Sequence, residues 1–291
     1  MATARAPGAE EAPARRAPTQ IAWRALVRFY DDQMTQHSAA LSFYAMLSLV
    51  PVLLLAISLL GVFGQEQTVN DITGYLRDHG APASVTQPVE ALVRSAVRAS
   101  GQATRTALVI SLLASLAGAS GWFASVRRAL NAALHVDEDR PIVHRKLADV
   151  GATALLVVLG VVILVLVFLG GGVADDLFHT IGLNHAGDVW RVARWPAALA
   201  VTLCAYAFIY AFAPDRHPRH YRVISPGALV AVPLWLAVSY GFFMYVSHLA
   251  DLRAYGTFAS ALVLLVWMYL THAALLLGAE LNAVATEADG A

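Results

Sequence analysis

A single cysteine, Cys204, is all the thiol this 291-residue chain carries. It cannot close an intrachain disulfide or supply a Cys-x-x-Cys pair, which excludes a disulfide scaffold and a thiolate metal site. Its apolar neighbours mark it as a small packing residue within a helix. Paired histidines at ligand spacing and acidic clusters are missing too, so no metal or other cofactor is expected. The lack of a Gly-x-x-x-x-Gly-Lys loop excludes direct ATP drive, and the lack of Gly-x-Ser-x-Gly removes the serine-hydrolase elbow. No catalytic residue stands out, and an enzyme is not expected. The formal net charge is zero, with 20 Lys and Arg against 20 Asp and Glu. A nucleic-acid partner would normally show a basic cluster on one face, and none is expected here.

Charge is scarce as well as balanced. Charged residues make up 14% and hydrophobic ones 58%, against about 25% and about 45–50% in soluble domains. The apolar residues gather into six stretches, at about 39–63, 107–126, 147–170, 195–213, 224–246 and 257–278. Each approaches the roughly 20 residues that cross a hydrocarbon core. The expected fold is all-α, a polytopic integral membrane protein with six transmembrane helices in one membrane domain at 20–285. A disordered cytoplasmic tail, rich in Ala, Pro, Arg and Glu, is expected at 1–19, and a short cytoplasmic tail at 286–291. With no signal peptide in that first tail, the first stretch itself directs insertion, as in a bacterial inner-membrane protein.

Charge position gives the orientation. The N-terminal, second, fourth and C-terminal segments hold 13 of the 20 Lys and Arg, including Arg127, Arg128, Arg140, Arg145 and Lys146 in the second loop. The positive-inside rule then places both termini in the cytoplasm. Between Ile21 and Phe29 apolar residues alternate with Arg24 and Arg28, the pattern of a helix lying along the inner interface. In the large outer loop, Val89, Leu92, Val93, Ala96 and Val97 form an apolar stripe that predicts one or two short helices.

Polar residues inside the apolar stretches are the candidate functional positions. His37, Tyr44, Ser48 and Pro51 recur at helical spacing in the first, with Ser38 and Ser42 beside them. Ser111, Ser115, Gly118, Trp122 and Ser125 line one face of the second. Trp267, Thr271 and His272 lie in the last. Such stripes either pack helices closely or line a wet path for a substrate, and both readings stand. The third stretch is nearly continuous Val, Leu and Ile and is expected to face lipid. Pro51, and Pro226, Gly227 and Pro233 in the fifth, predict a kink or break. At the inner interface Arg128, Asn131, Arg222, Glu280 and Asn282 form a candidate network, with Glu280 expected to pair with Arg128 or Arg222 because an unpaired carboxylate beside lipid is costly.

Several local patterns, taken together and in order, resemble one family. They are Ser38-Ala39-Ala40-Leu41-Ser42-Phe43-Tyr44 with Leu47-Ser48-Leu49-Val50-Pro51, then Trp122 and Arg128-Ala129-Leu130-Asn131-Ala132, then Tyr210 before Pro214. Tyr221-Arg222 leading to Pro226-Gly227-Ala228 and Trp235 follows, then Tyr255-Gly256. The closing run from Trp267-Met268-Tyr269 to Leu277-Gly278-Ala279-Glu280-Leu281-Asn282-Ala283 is the most specific. The chain resembles the YihY/BrkB family of bacterial inner-membrane proteins from about 21 to 285. That resemblance implies six spans with both ends inside. It also carries three labels: a tRNA-processing ribonuclease BN, a serum-resistance or virulence factor, and an exporter of lipid A precursors. A tRNA nuclease needs metal ligands or a water-exposed acid–base pair and a phosphate-binding surface, and the sequence displays neither. The expected role is therefore a transporter or flippase-like protein for a lipid or amphipathic envelope component. The alternative is a non-transporting assembly or structural protein. Membrane lipids are the expected partners, and the sequence sets no oligomeric state.

Overall fold

In a computed structural model, residues 18–63, 69–70, 73–74, 77, 83–98, 102–168, 186–215, 225–248 and 256–288 are described, and the regular elements among them are all helices. In chain order these are α1 (Pro18–Asp31), α2 (Met34–Phe63), α3 (Ala83–Arg98), α4 (Gln102–Ala133), α5 (Ile142–Phe168), α6 (Ala186–Phe212), α7 (Pro226–His248) and α8 (Gly256–Ala288). Four contain segments long and apolar enough to cross a bilayer: Ile142–Ile163, Val192–Phe212, Pro226–Val246 and Ala261–Ala288. α2 and α4 cover the first two apolar stretches of the sequence. The protein is thus a membrane protein whose described residues form helices and their connections.

Helix ends depart from the expected limits in informative ways. Residues 1–17 of the expected tail lie outside the described residues, while Pro18 and Thr19 already belong to α1. At the other end α8 continues to Ala288, into the expected tail, whose residues 289–291 lie outside the described residues. α4 runs seven residues past the predicted end of its stretch because Arg127 to Ala133 place their small and apolar side chains in the core. It stops at His135, whose φ of 50° puts a non-glycine residue in the left-handed region. The Val136 amide then reaches back to the Asn131 carbonyl at 2.9 Å, closing the last turn. Gln33, with φ 55°, makes the corner between α1 and α2 in the same way.

The expected breaks at Pro51 and Pro233 are not interruptions, since α2 and α7 continue through both. Pro226 and Gly227 begin a helix instead of breaking one. Ser225 caps α7 by accepting the Ala228 amide on Oγ at 3.2 Å, and Pro226 takes the first helical position, where its missing N–H costs nothing.

The core lies toward one end of the bundle. Phe29 and Met34 from α1 and α2, Phe123, Val126 and Leu130 from α4, Ile209 from α6, and Leu275 and Leu276 from α8 pack together there. α2 packs along α4 and α8, α8 along α7, and α5 against α4 and α6. Elsewhere the helices expose apolar faces, as at Val157, Val158 and Val161 on α5, which agrees with the lipid-facing reading of that stretch. Cys204 departs from its reading as a packing residue, because its side chain on α6 is exposed on the outside of the bundle.

Candidate functional site

The polar residues of α2, α4 and α8 converge inside the bundle, on a face of α2 next to the predicted one. Met34, Ser38, Leu41 and Ser42 form its buried side, while Tyr44 of the predicted stripe is exposed and His37 and Ser48 are only partly buried. The physical reason is size. Serine lets α2 approach α8 and α4 closely, and a tyrosine at that contact would hold them apart. A Cβ placed on Gly118 of α4 would meet the Ser48 Cβ at 3.2 Å, which measures how closely the two helices lie.

His272 of α8 is the centre of this contact. Its Nε2 accepts the Trp122 indole N–H at 3.0 Å, and its Nδ1 lies 3.0 Å from Ser42 Oγ. Indole nitrogen only donates, so Nε2 must carry the lone pair. Ser42 already donates its hydroxyl to the Ser38 carbonyl at 2.7 Å, so its oxygen is free to accept from Nδ1–H. One neutral tautomer satisfies every partner and ties three helices together. Ser115 Oγ on α4 and Thr271 Oγ1 on α8 are buried with no hydrogen-bond partner among the described residues. Trp267 donates to Ser239 Oγ of α7 at 3.2 Å, and Ser125 is buried. The side chains of Ser111 and Pro51 lie outside the described residues.

A second polar assembly sits at the α4–α5 connection. Arg127 holds Asp149 through two bonds, Nε to Oδ1 at 3.0 Å and Nη2 to Oδ2 at 3.2 Å, and also bonds Glu138. Glu138 in turn receives Arg140 Nε at 2.8 Å and Asn131 Nδ2 at 3.1 Å. Asn131 Oδ1 accepts the Asp215 amide at 2.9 Å, and Asp215 Oδ2 accepts the Asp139 amide at 2.8 Å. Burial pushes the Glu138 carboxyl up, but hydrogen bonds and charge from Arg140 and Arg127 outweigh it and hold it below the usual carboxylate range. Sequence reading picked out Asn131 but missed Arg127, Asp149 and Glu138. Asp149 lies inside an apolar stretch whose single carboxylate was the available signal.

At the end of α7 the chain approaches α8 backbone to backbone. A Cβ on Gly227 would overlap the Gly278 carbonyl, and one on Gly278 would stand 2.8 Å from the Gly227 carbonyl and 2.7 Å from Ala231 Cβ. Asn282 seals the contact, accepting the Gly227 amide at 2.7 Å and donating to Ser225 Oγ at 3.1 Å. Tyr210 donates to the Leu275 carbonyl at 2.6 Å from α6.

The expected pairing of Glu280 with Arg128 is not formed. Arg128 is exposed and donates to Ser125 Oγ at 2.7 Å, while the fully buried Glu280 carboxylate has no hydrogen-bond partner among the described residues. Helix direction explains this, because Glu280 faces α1 and the α1–α2 corner. Arg222 lies outside the described residues. His37 is partly buried, and burial followed by the charge of Arg128 lowers its imidazole below the usual value.

The family model for virulence factor BrkB matches residues 25–291. A ribonuclease-like protein, YfkH, of Bacillus subtilis is 30% identical over 251 residues, which cover 85% of this chain and 88% of that protein. UPF0761 membrane proteins of Xanthomonas campestris and Xanthomonas axonopodis are each 29% identical over 265 residues, covering 89% of this chain. The chain spans 58% of the length of those Xanthomonas relatives. No solved structure matches.

Proposed function

The chain belongs to the virulence factor BrkB family, and from that premise we propose that it is a six-span inner-membrane protein, with both termini cytoplasmic, that moves a lipid or other amphipathic envelope component across the bilayer. The observation that carries this reading is the polar seam between α2, α4 and α8. Ser115 lies on the α4 face that carries Gly118 and Trp122 into this seam, and its buried hydroxyl has no partner among the described residues; neither has the buried hydroxyl of Thr271, elsewhere on α8. A polar group left unbonded inside a membrane is costly, and a passing headgroup or its hydration would supply the missing bonds. The excess of Lys and Arg in the segments before the first span and after the second and fourth supports the orientation. No covalent step is assigned to the protein, and the ribonuclease name borne by YfkH is not carried over to it.

A second reading, assembly of partners without transport, draws on the other hydroxyls of the seam. Ser38, Ser42 and Ser48 spend theirs on carbonyls of their own helix, as in a packed contact. Vesicles containing the purified protein and a headgroup-labelled lipid separate the two. Transport predicts faster transbilayer exchange with wild type and a several-fold slower rate in a Ser115→Ala, Thr271→Val variant of unchanged melting temperature. Exchange no faster than in empty vesicles, for every envelope lipid class tried, overturns the transport reading in favour of assembly.

A further inference from the structure

Glu280 is 0% exposed, and neither of its carboxylate oxygens finds a donor among the described residues. Asp32, at the corner between α1 and α2, has one oxygen in the same condition. Its Oδ2 is buried without a partner, while Oδ1 lies 3.2 Å from His135 Nε2. The two carboxyl groups face each other where α1, which ends just before Asp32, lies on α8. As two carboxylates they bring only acceptors and repel. A proton on either one supplies the donor that both lack and cancels one charge.

The neighbouring charges leave that need in place. From α1, Arg28 is the nearby cation, but its two terminal nitrogens are engaged by Glu287 at 2.8 and 2.9 Å. Its field reaches Glu280 without a bond, and Glu287 adds a negative field from the same helix. α2 brings His37 and α4 brings Arg128, and neither bonds Glu280. α7 carries no Asp, Glu, Lys or Arg along Pro226–Val246. Three unpartnered acid oxygens therefore converge where α1 lies on the end of α8.

We propose that Asp32 and Glu280 form a proton-binding site in which one shared proton ties the α1–α2 corner to α8. The proton enters through Asp32, whose side chain retains 18% exposure where Glu280 has none. When it leaves, two negative charges face each other. α1 is the element that yields, because its outer face, with Trp23, Val27 and Tyr30, is exposed and only its inner face is packed. The site thus reads pH at the interfacial helix whether or not the protein transports anything.

Infrared pH titration of the full chain in nanodiscs tests this directly. Wild type is expected to show a protonated-carboxyl band that is present at pH 7 and is lost as pH is raised further. Glu280→Gln should abolish it, and Asp32→Asn, which removes the repelling charge, should move its loss to lower pH. Amide-exchange protection of α1 should fall with the band in wild type and stay level in Asp32→Asn. Should Glu280→Gln fail to fold, the Asp32→Asn titration decides alone. Absence of the band at pH 7, a band unchanged by Asp32→Asn, or a band that responds to sodium or potassium at fixed pH overturns the shared proton, the last in favour of a bound cation.

Discussion

Arg127 is 5% exposed and faces an almost equally buried Asp149, so the ion pair is shielded from solvent. Removing one partner leaves the other charge buried without compensation. Arg127→Ala should cost about 3–5 kcal/mol, read as a fall in melting temperature in detergent. Arg127→Lys should recover only part of it, because an ammonium cannot hold both oxygens of Asp149 in the fork that guanidinium makes. The Glu138 carboxyl, held low in the folded state by its two arginines, adds stability that is fully present above the ordinary glutamate value near about pH 4.3. That contribution is lost as pH falls through the lower folded value, so Glu138→Gln should flatten the acid limb of melting temperature against pH. His272→Phe would orphan Trp122 Nε1 and remove the bond that Ser42 Oγ accepts, at about 1–3 kcal/mol. His272→Gln, which can both accept and donate, should restore part of it. Lone polar residues such as His272 and Trp122 were legible in the sequence because they interrupt apolar runs. Their mutual bond was not, since the residues lie 150 positions apart.

Between helices, glycine decides the α7–α8 contact. Gly278→Ala should separate the helices and cost at least about 1–3 kcal/mol, as overpacking does. Gly160→Ala on α5, where an added Cβ meets nothing within 4 Å, should be neutral or slightly stabilising through helix propensity. Comparing the two melting temperatures separates a packing glycine from an incidental one. Hydropathy located every one of these helices to within several residues at most ends. It placed the last one short by ten residues and α4 by seven, because the extensions are amphipathic and close on a core built from several helices. The same limit explains the shifted face on α2. Periodicity identifies which residues share a side, and only the neighbouring helix decides whether that side or the adjacent one is buried.

For the whole molecule, α8 is the organising element. Its 33 residues reach about 50 Å at 1.5 Å each, well beyond a hydrocarbon core of about 30 Å. The surplus length provides the platform on which α1 rests through Ala25 and Phe29. If both ends face the cytoplasm, reporters fused to either terminus should be active only as cytoplasmic reporters are. An active periplasmic reporter at one end would overturn the six-crossing topology. The apolar composition made membrane residence plain from the sequence, whereas the buried acid pair depended on a fold that brings positions 32 and 280 together.

The exposed thiol on α6 has a use apart from any function of the protein. Cys204 lies near the middle of Val192–Phe212, a segment long and apolar enough to cross a bilayer, and its side chain is exposed on the side that acyl chains would meet in such a crossing. The chain therefore carries its own depth gauge. An apolar, membrane-permeant thiol reagent should reach it and a charged one should not. A spin label attached there would report the bilayer interior without a single substitution in the protein.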